Sequence, residues 1–320
     1  MELLNTLYEL LHNSVKKYSN KIAFSMLGGE DVTYNEVGQR VKQVQDLLVG
    51  AGLKAGDKVA ILSSSMPNWG ISYFAIVTSG MVAVPILNDF TSEELEKLIK
   101  HSEAKALMVS DKLFTRISKD TVAKLNIVIR TKNLSVISQK VEAEGSITIP
   151  KPEDLAVIIY TSGTTSTPKG VMLTHYNLAS QINLLYNLYP IGPEDSMLSV
   201  LPMSHTYECS LGMLYVIATG ASTTYLEKPP TPSVLLPALR RVRPTCFLIV
   251  PLIIEKVFNS QILAKFTANK FMATLYGIGF IRRFLHRLAG KKLIAAFGGR
   301  ARLFIGGSKL EETVEQFLMD

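Results

Sequence analysis

Tyr160-Thr161-Ser162-Gly163-Thr164-Thr165-Ser166-Thr167-Pro168-Lys169-Gly170 separates two apolar runs, Leu155 to Ile159 and Val171 to Leu173. Short apolar runs bounded by turn residues read as buried strands, so the segment between them is a strand-to-strand loop. From Thr161 to Thr167 it carries no apolar side chain. Hydroxyls, and backbone N–H groups freed by glycine, can ring a polyanion, and Lys169 adds a point charge for phosphate oxygens. At about 4 Å one such charge pair is worth roughly 4 kcal/mol near a protein surface. Three other readings compete. A solvated linker seldom sits between strongly apolar strands. A Walker-type P-loop needs Ser or Thr after its lysine, where Gly170 stands. A tight β-hairpin without a ligand stays open.

Residue order is more specific than composition. YTSGTTSTPKGV resembles the phosphate loop of the AMP-forming adenylating superfamily of acyl- and aryl-CoA synthetases, luciferases and adenylation domains, with Ser166 where the usual form has Gly. The resemblance implies an α/β fold of stacked, mainly parallel sheets flanked by helices, the incomplete N-terminal domain of the AMP-forming ligases. It implies that Thr161, Ser162, Gly163, Thr164, Thr165 and Lys169 hold the phosphates of ATP, with Lys169 also acting in catalysis.

The rest of the chain is compatible with that fold. At 320 residues and 47% hydrophobic content, it can bury one large or two ordinary domains. Thr33 with Glu36 and Thr91 with Glu94 are capping boxes. The first precedes Val37, Val41, Val44 and Leu48, the second Leu95, Leu98 and Ile99, each set on one helical face. Strands are expected at Ile22 to Met26, Lys58 to Leu62, Met81 to Leu87, Ala104 to Val109 and Ile127 to Ile129. Their alternation with helices implies a mainly parallel sheet. Residues 115–149 are ambiguous, an edge strand plus a loop. Cys209 and Cys246 lie in apolar settings and read as buried free thiols of a reducing cytosol. The first 21 residues read as an amphipathic helix with Glu2 and Glu9, not a signal peptide, and no run of 18 apolar residues spans a membrane.

Beyond the loop, the segment Ser199 to Glu208, SVLPMSHTYE, resembles the long-chain acyl-CoA synthetases. By that resemblance His205 lies beside the carboxylate and the α-phosphate, while Glu208 can equally make a loop hydrogen bond. Strand Arg302 to Ile305 ends in Gly306-Gly307-Ser308, where Ser308 and Glu311 match a third capping box. In the family this turn lies against the adenine and the acyl carbonyl, and by itself it is an ordinary strand-to-helix turn.

The resemblance implies ATP-dependent activation of a long-chain fatty acid to acyl-AMP and then acyl-CoA, with ATP, Mg2+ and CoA. It covers 1–320 as a partial AMP-binding domain, with a subdomain division near 150–230. Family members continue into a metal-binding acid, a ribose-binding aspartate and a C-terminal lid bearing a catalytic lysine. These 320 residues, with no metal ligand assigned, are not expected to complete the reaction alone. An adenylate-forming relative with another acceptor, such as acyl-carrier protein, and a non-catalytic nucleotide- or lipid-binding module are the alternatives.

The net charge of +7 is local. No Asp or Glu occurs from Lys256 to Lys309, a stretch holding Lys265, Lys270, Arg282, Arg283, Arg287, Lys291, Lys292, Arg300 and Arg302. Phe271, Leu275, Ile278, Ile281, Leu285 and Leu288 share one face of an expected helix. Such a helix suits an anionic membrane surface, which would make the protein cytoplasmic and peripheral on the inner membrane face. It equally suits a helix packed on the body with a solvated cationic rim. No nucleic acid is expected, for want of an RNA module or a helix-turn-helix pattern.

Overall fold

The computed structural model describes residues 3–161 and 169–320. The chain divides into two compact units, Met1–Glu194 with Pro202–Glu227, and Asp195–Leu201 with Lys228–Asp320.

The first unit opens with α1 (Leu7–Tyr18), whose Thr6 and Glu9 form a capping box. Strands β1 (Ile22–Met26) and β2 (Asp31–Thr33) pair antiparallel. Thr33 and Glu36 then cap α2 (Tyr34–Gly50), which buries the expected Val37, Val41, Val44 and Leu48. Next comes β3 (Lys58–Leu62), and Pro67 in the first turn starts α3 (Pro67–Val77), all eleven residues of which are buried. After β4 (Val82–Pro85), the Thr91–Glu94 box caps α4 (Ser92–His101), which turns Leu95, Leu98 and Ile99 inward. The remaining strands of this sheet are β5 (Ala104–Val109), β6 (Ile127–Arg130), β7 (Val136–Gln139), β8 (Leu155–Thr161) and β9 (Lys169–Thr174).

These strands order as β7-β6-β5-β3-β4-β8-β9, with the five inner strands parallel and both outer ones antiparallel to their neighbours. Parallel strands are covered on both faces and therefore read as continuous apolar runs, as Val59 to Leu62 do at 0% exposure. The ambiguous 115–149 stretch contributes edge strand β7. One expectation needs correction. Val171 and Met172 are 46% and 65% exposed, so the second apolar run is an open edge strand and not a buried one.

The helix His175–Leu188 follows β9, capped by Thr174 and Asn177. His175 is fully buried, and its Nδ1 accepts the Leu7 N–H at 3.2 Å, satisfying a donor at the open end of α1. Burial pushes its pKa down to about 4, against the attraction of Asp154. As pH falls through about 6.5 the unfolded chain takes up a proton that the folded chain refuses until about 4, so stability drops across that window. The drop approaches about 3 kcal/mol. His175→Asn, which retains an acceptor but cannot be protonated, is expected to flatten the fall in urea midpoint between neutral and mildly acid pH.

Strand β10 (Ser196–Ser199) belongs to the second unit, whereas β11 (Ser222–Tyr225) returns to the first and pairs parallel with β1. The buried Tyr34 hydroxyl donates to the Ala221 carbonyl at 2.7 Å, anchoring α2 beside that strand. In the second unit β12 (Cys246–Ile249) pairs parallel with both β10 and β13 (Arg302–Ile305). Both cysteines are buried and free, as expected.

Two further expectations fail in the second unit. The basic helix is not continuous: Ile278, in extended conformation between Gly277 and Gly279, divides it into Lys270–Gly277 and Gly279–Ala296. Both glycines favour the break, each costing about 1 kcal/mol relative to Ala in a helix. The Ser308–Glu311 box does not form either. The last helix starts at Glu312, and the Glu311 N–H donates instead to Glu255 Oε1 at 2.9 Å. Among the described residues no helix is long and apolar enough to cross a membrane.

Candidate functional site

The ends of the hydroxyl-rich segment are held by β8 and β9. Because β8 runs parallel to β4, Thr161 sits at the carboxyl edge of the parallel strands, where open α/β sheets bind ligands. Antiparallel pairing returns the chain to the same spot, with Tyr160 opposite Gly170 and Thr161 opposite Lys169. Directly paired residues share a face, so the Thr161 and Lys169 side chains leave the hairpin on the same side, and both residues are exposed. Of the other residues assigned to phosphate, Ser162, Gly163, Thr164 and Thr165 lie outside the described residues.

The base of this hairpin is anchored from below. Tyr160, 5% exposed, packs into the core cluster that contains Leu95, Leu98 and Ile99 of α4. Its hydroxyl meets His101 Nδ1 at 2.8 Å, and the two rings pack edge to face at 5.6 Å. Across the pair, a Cβ on Gly170 would lie 2.7 Å from Ile158 Cγ2. That distance is shorter than real Cβ contacts, so any side chain at 170 must displace either Ile158 or the strand that carries Lys169. Gly170→Ala is expected to destabilise the first unit by about 1–3 kcal/mol through this overpacking, and an unchanged urea midpoint would mean that Ile158 yields.

His205 lies in the same unit, on the segment after β10. Its N–H donates to the Pro202 carbonyl at 2.9 Å, and its carbonyl accepts the Cys209 N–H at 3.0 Å. The Tyr207 N–H donates to His205 Nδ1 at 3.2 Å, so a neutral ring carries its proton on Nε2. The imidazole is exposed, able to donate to an anionic oxygen. A second tether comes from the Met203 N–H, which donates to Ser65 Oγ at 3.1 Å in the turn leading to α3.

Glu208 is 1% exposed and opens a π-helical segment, Glu208–Leu214, within the first unit. Such wide turns gather at functional sites. A Cβ on Gly212, one turn on, would fall 2.7 Å from Glu208 Oε1, so the glycine makes room for the carboxylate. Burial, reinforced by the Glu208 charge, raises the Tyr207 hydroxyl to about 12. The Cys209 thiol is likewise raised to about 12, chiefly by burial, so it is not a poised nucleophile.

Gly306, Gly307 and Ser308 belong to the second unit, in the turn after β13. Gly306 N–H donates to the Ile249 carbonyl at 3.3 Å, and Gly307 adopts φ +97°, the region that favours glycine. Gly307 and Ser308 are exposed. Among the described residues no group of three His, Cys, Asp or Glu is placed to hold a metal ion.

Comparison with known proteins agrees with this architecture. Residues 11–320 match the AMP-binding enzyme family. Oxalate–CoA ligase of Arabidopsis thaliana is 32% identical over 231 residues, which are 69% of this chain and 45% of that protein. Long-chain-fatty-acid–CoA ligase 5 of Rattus norvegicus is 28% identical over 319 residues, 87% of this chain and 46% of that one. The chain thus spans less than half the length of these relatives. Among solved structures, ATP-bound MatB from Rhodopseudomonas palustris superposes with a TM-score of 0.75 over 98% of this chain and 57% of its own, at 23% identity. At that identity the likeness concerns the fold alone.

Proposed function

The chain belongs to the AMP-binding enzyme family, and from that membership we propose that the full-length protein activates a fatty acid with ATP and passes the acyl group to CoA. The carboxylate attacks the α-phosphorus, forming the mixed anhydride acyl-AMP and expelling pyrophosphate. The CoA thiol then attacks the acyl carbon and AMP departs. The protein's part is positioning and charge neutralisation, not covalent catalysis.

The observation that carries this reading is the pairing of Thr161 with Lys169 at the carboxyl edge of the sheet, at the two ends of the hydroxyl-rich segment. In that role Thr161, Ser162, Gly163, Thr164 and Thr165 supply donors to the β- and γ-phosphates, and Lys169 neutralises charge as pyrophosphate leaves. His205 donates through Nε2 to the carboxylate or the α-phosphate. Gly306, Gly307 and Ser308 lie along the adenine and the acyl carbonyl. Mg2+ would screen the triphosphate, held chiefly by the phosphate oxygens themselves; among the described residues no group of three His, Cys, Asp or Glu gathers to add to it.

A long-chain acid is favoured by the segment Ser199 to Glu208 and by the name of the Rattus norvegicus relative. The oxalate ligase, more alike over a shorter stretch, favours a small diacid. Pyrophosphate exchange by the full-length protein against acids from oxalate to palmitate decides between them. Exchange rising with chain length is expected. Exchange with oxalate alone would replace the long-chain reading. Product analysis with CoA and with acyl-carrier protein identifies the acceptor.

A further inference from the structure

The helix Gly279–Ala296 of the second unit presents an apolar row to solvent. Phe280, Phe284 and Leu288 recur at every fourth residue and are 76%, 61% and 44% exposed. Residues four apart line one face of a helix, so these three form a continuous apolar row facing outward. The opposite face is the packed one, with His286 and Leu293 buried. Phe271, on the preceding helix Lys270–Gly277, is 71% exposed as well.

The row's borders are cationic. Arg283, Arg287, Lys291 and Lys292 are all exposed along the same helix, and the sequence supplies no acid between Lys256 and Lys309. One carboxylate does approach from another element, that of Asp320. It is already engaged, accepting from His286 Nδ1 at 2.8 Å with its side chain 7% exposed, while Tyr276 closes the other side of His286 at 2.8 Å. Asp320 also pairs with Arg283 Nε at 3.8 Å, and its carbonyl accepts from Arg287 Nε at 3.1 Å.

Beside the row opens a pocket of about 490 Å³ whose lining is mostly apolar, Phe284, Leu288 and Phe317 among it, with Arg287, Lys291 and Asp320 as its charged members. A surface that offers phenylalanine rings in a line, cations around them and a cleft of both characters matches the boundary between phosphate headgroups and acyl chains.

We propose that this face, Phe280, Phe284 and Leu288 ringed by Arg283, Arg287, Lys291 and Lys292, seats the protein on a bilayer rich in anionic phospholipid. The rings enter the headgroup boundary, the cations meet lipid phosphates, and the apolar part of the pocket receives the start of an acyl chain. A nucleic acid fits less well, because an aliphatic Leu288 within the row offers nothing to stack a base against. The proposal stands apart from the adenylation chemistry, and its test does not read activity.

The test is co-sedimentation of the full-length protein with vesicles of phosphatidylcholine, alone or mixed with phosphatidylglycerol. Binding is expected only to the mixed vesicles and should weaken as salt rises. Lys291→Gln and Lys292→Gln should each weaken it about fivefold, the effect of one charge near an anionic surface. Phe280→Ser with Phe284→Ser should weaken it at least about tenfold, with thermal unfolding unchanged because both side chains are already exposed. Four results would overturn the proposal: no vesicle binding by the wild type, equal binding to neutral vesicles, binding indifferent to both sets of substitutions, or salt-sensitive binding to single-stranded RNA without binding to vesicles.

Discussion

Replacing Lys169 by Ala in the full-length protein is expected to slow fatty-acid-dependent exchange of pyrophosphate into ATP by about 10- to 1000-fold, the usual loss for a preorganised electrostatic donor. The side chain is exposed at the first residue of β9, level with Thr161, so its removal takes nothing from the core. Thermal stability should therefore stay at the wild-type value while the rate falls. A long-range charge with no directional requirement would be partly restored by Arg, whereas a compact ammonium fitted between phosphate oxygens would not. Lys169→Arg is expected to recover less than a tenth of the lost rate. An unchanged exchange rate in Lys169→Ala would make the lysine structural and leave the hairpin without a ligand.

The largest effect on stability is expected at Trp69, the only tryptophan in the chain. It is fully buried in α3 and stacks on Tyr73 with centroids 5.7 Å apart and rings 11° from parallel. Next to it a Cβ on Gly70 would lie 3.0 Å from Phe24 Cζ and 3.1 Å from Met213 Sδ, so this part of the core has no slack into which neighbours could relax. Trp69→Ala should cost about 3–5 kcal/mol, a large share of a domain's total. Among the described residues its buried indole Nε1 has no hydrogen-bond partner, so Trp69→Phe removes an unsatisfied donor along with some volume. That variant should cost less, about 1–2 kcal/mol. Urea unfolding followed by far-UV circular dichroism separates the two. Equal losses would show that the indole N–H is satisfied in solution. The effect should reach the site, because α3 begins just after Ser65, which holds the Met203 N–H and with it the start of the His205 segment.

What was legible in the chain was local. The Thr33–Glu36 and Thr91–Glu94 boxes need only four residues to form, and both cap the helices they announce. The run Lys58 to Leu62 is apolar because a central parallel strand is covered on both faces. Two of the failures depended on partners distant in sequence. Val171 and Met172 look like core until β9 is known to be the last strand of its sheet. Ser308 and Glu311 have the spacing of a cap, but Glu255, far back in the chain, takes the N–H that the box requires. Ile278 breaks its helix where two glycines flank it, a signal visible as a weakness but not as a break. At the site, the loop's residue types pointed to phosphate, while its anchoring by Tyr160 and His101 joins elements 59 residues apart and could not be read.

Hydrogen–deuterium exchange of the full-length protein, with and without ATP, tests the central claim most directly. If the segment between Thr161 and Lys169 grips the triphosphate, ATP should protect amides from residue 161 to residue 170 and leave β5 and β6 unchanged. ATP binding that leaves this segment unprotected, or no ATP binding at all, would contradict the claim.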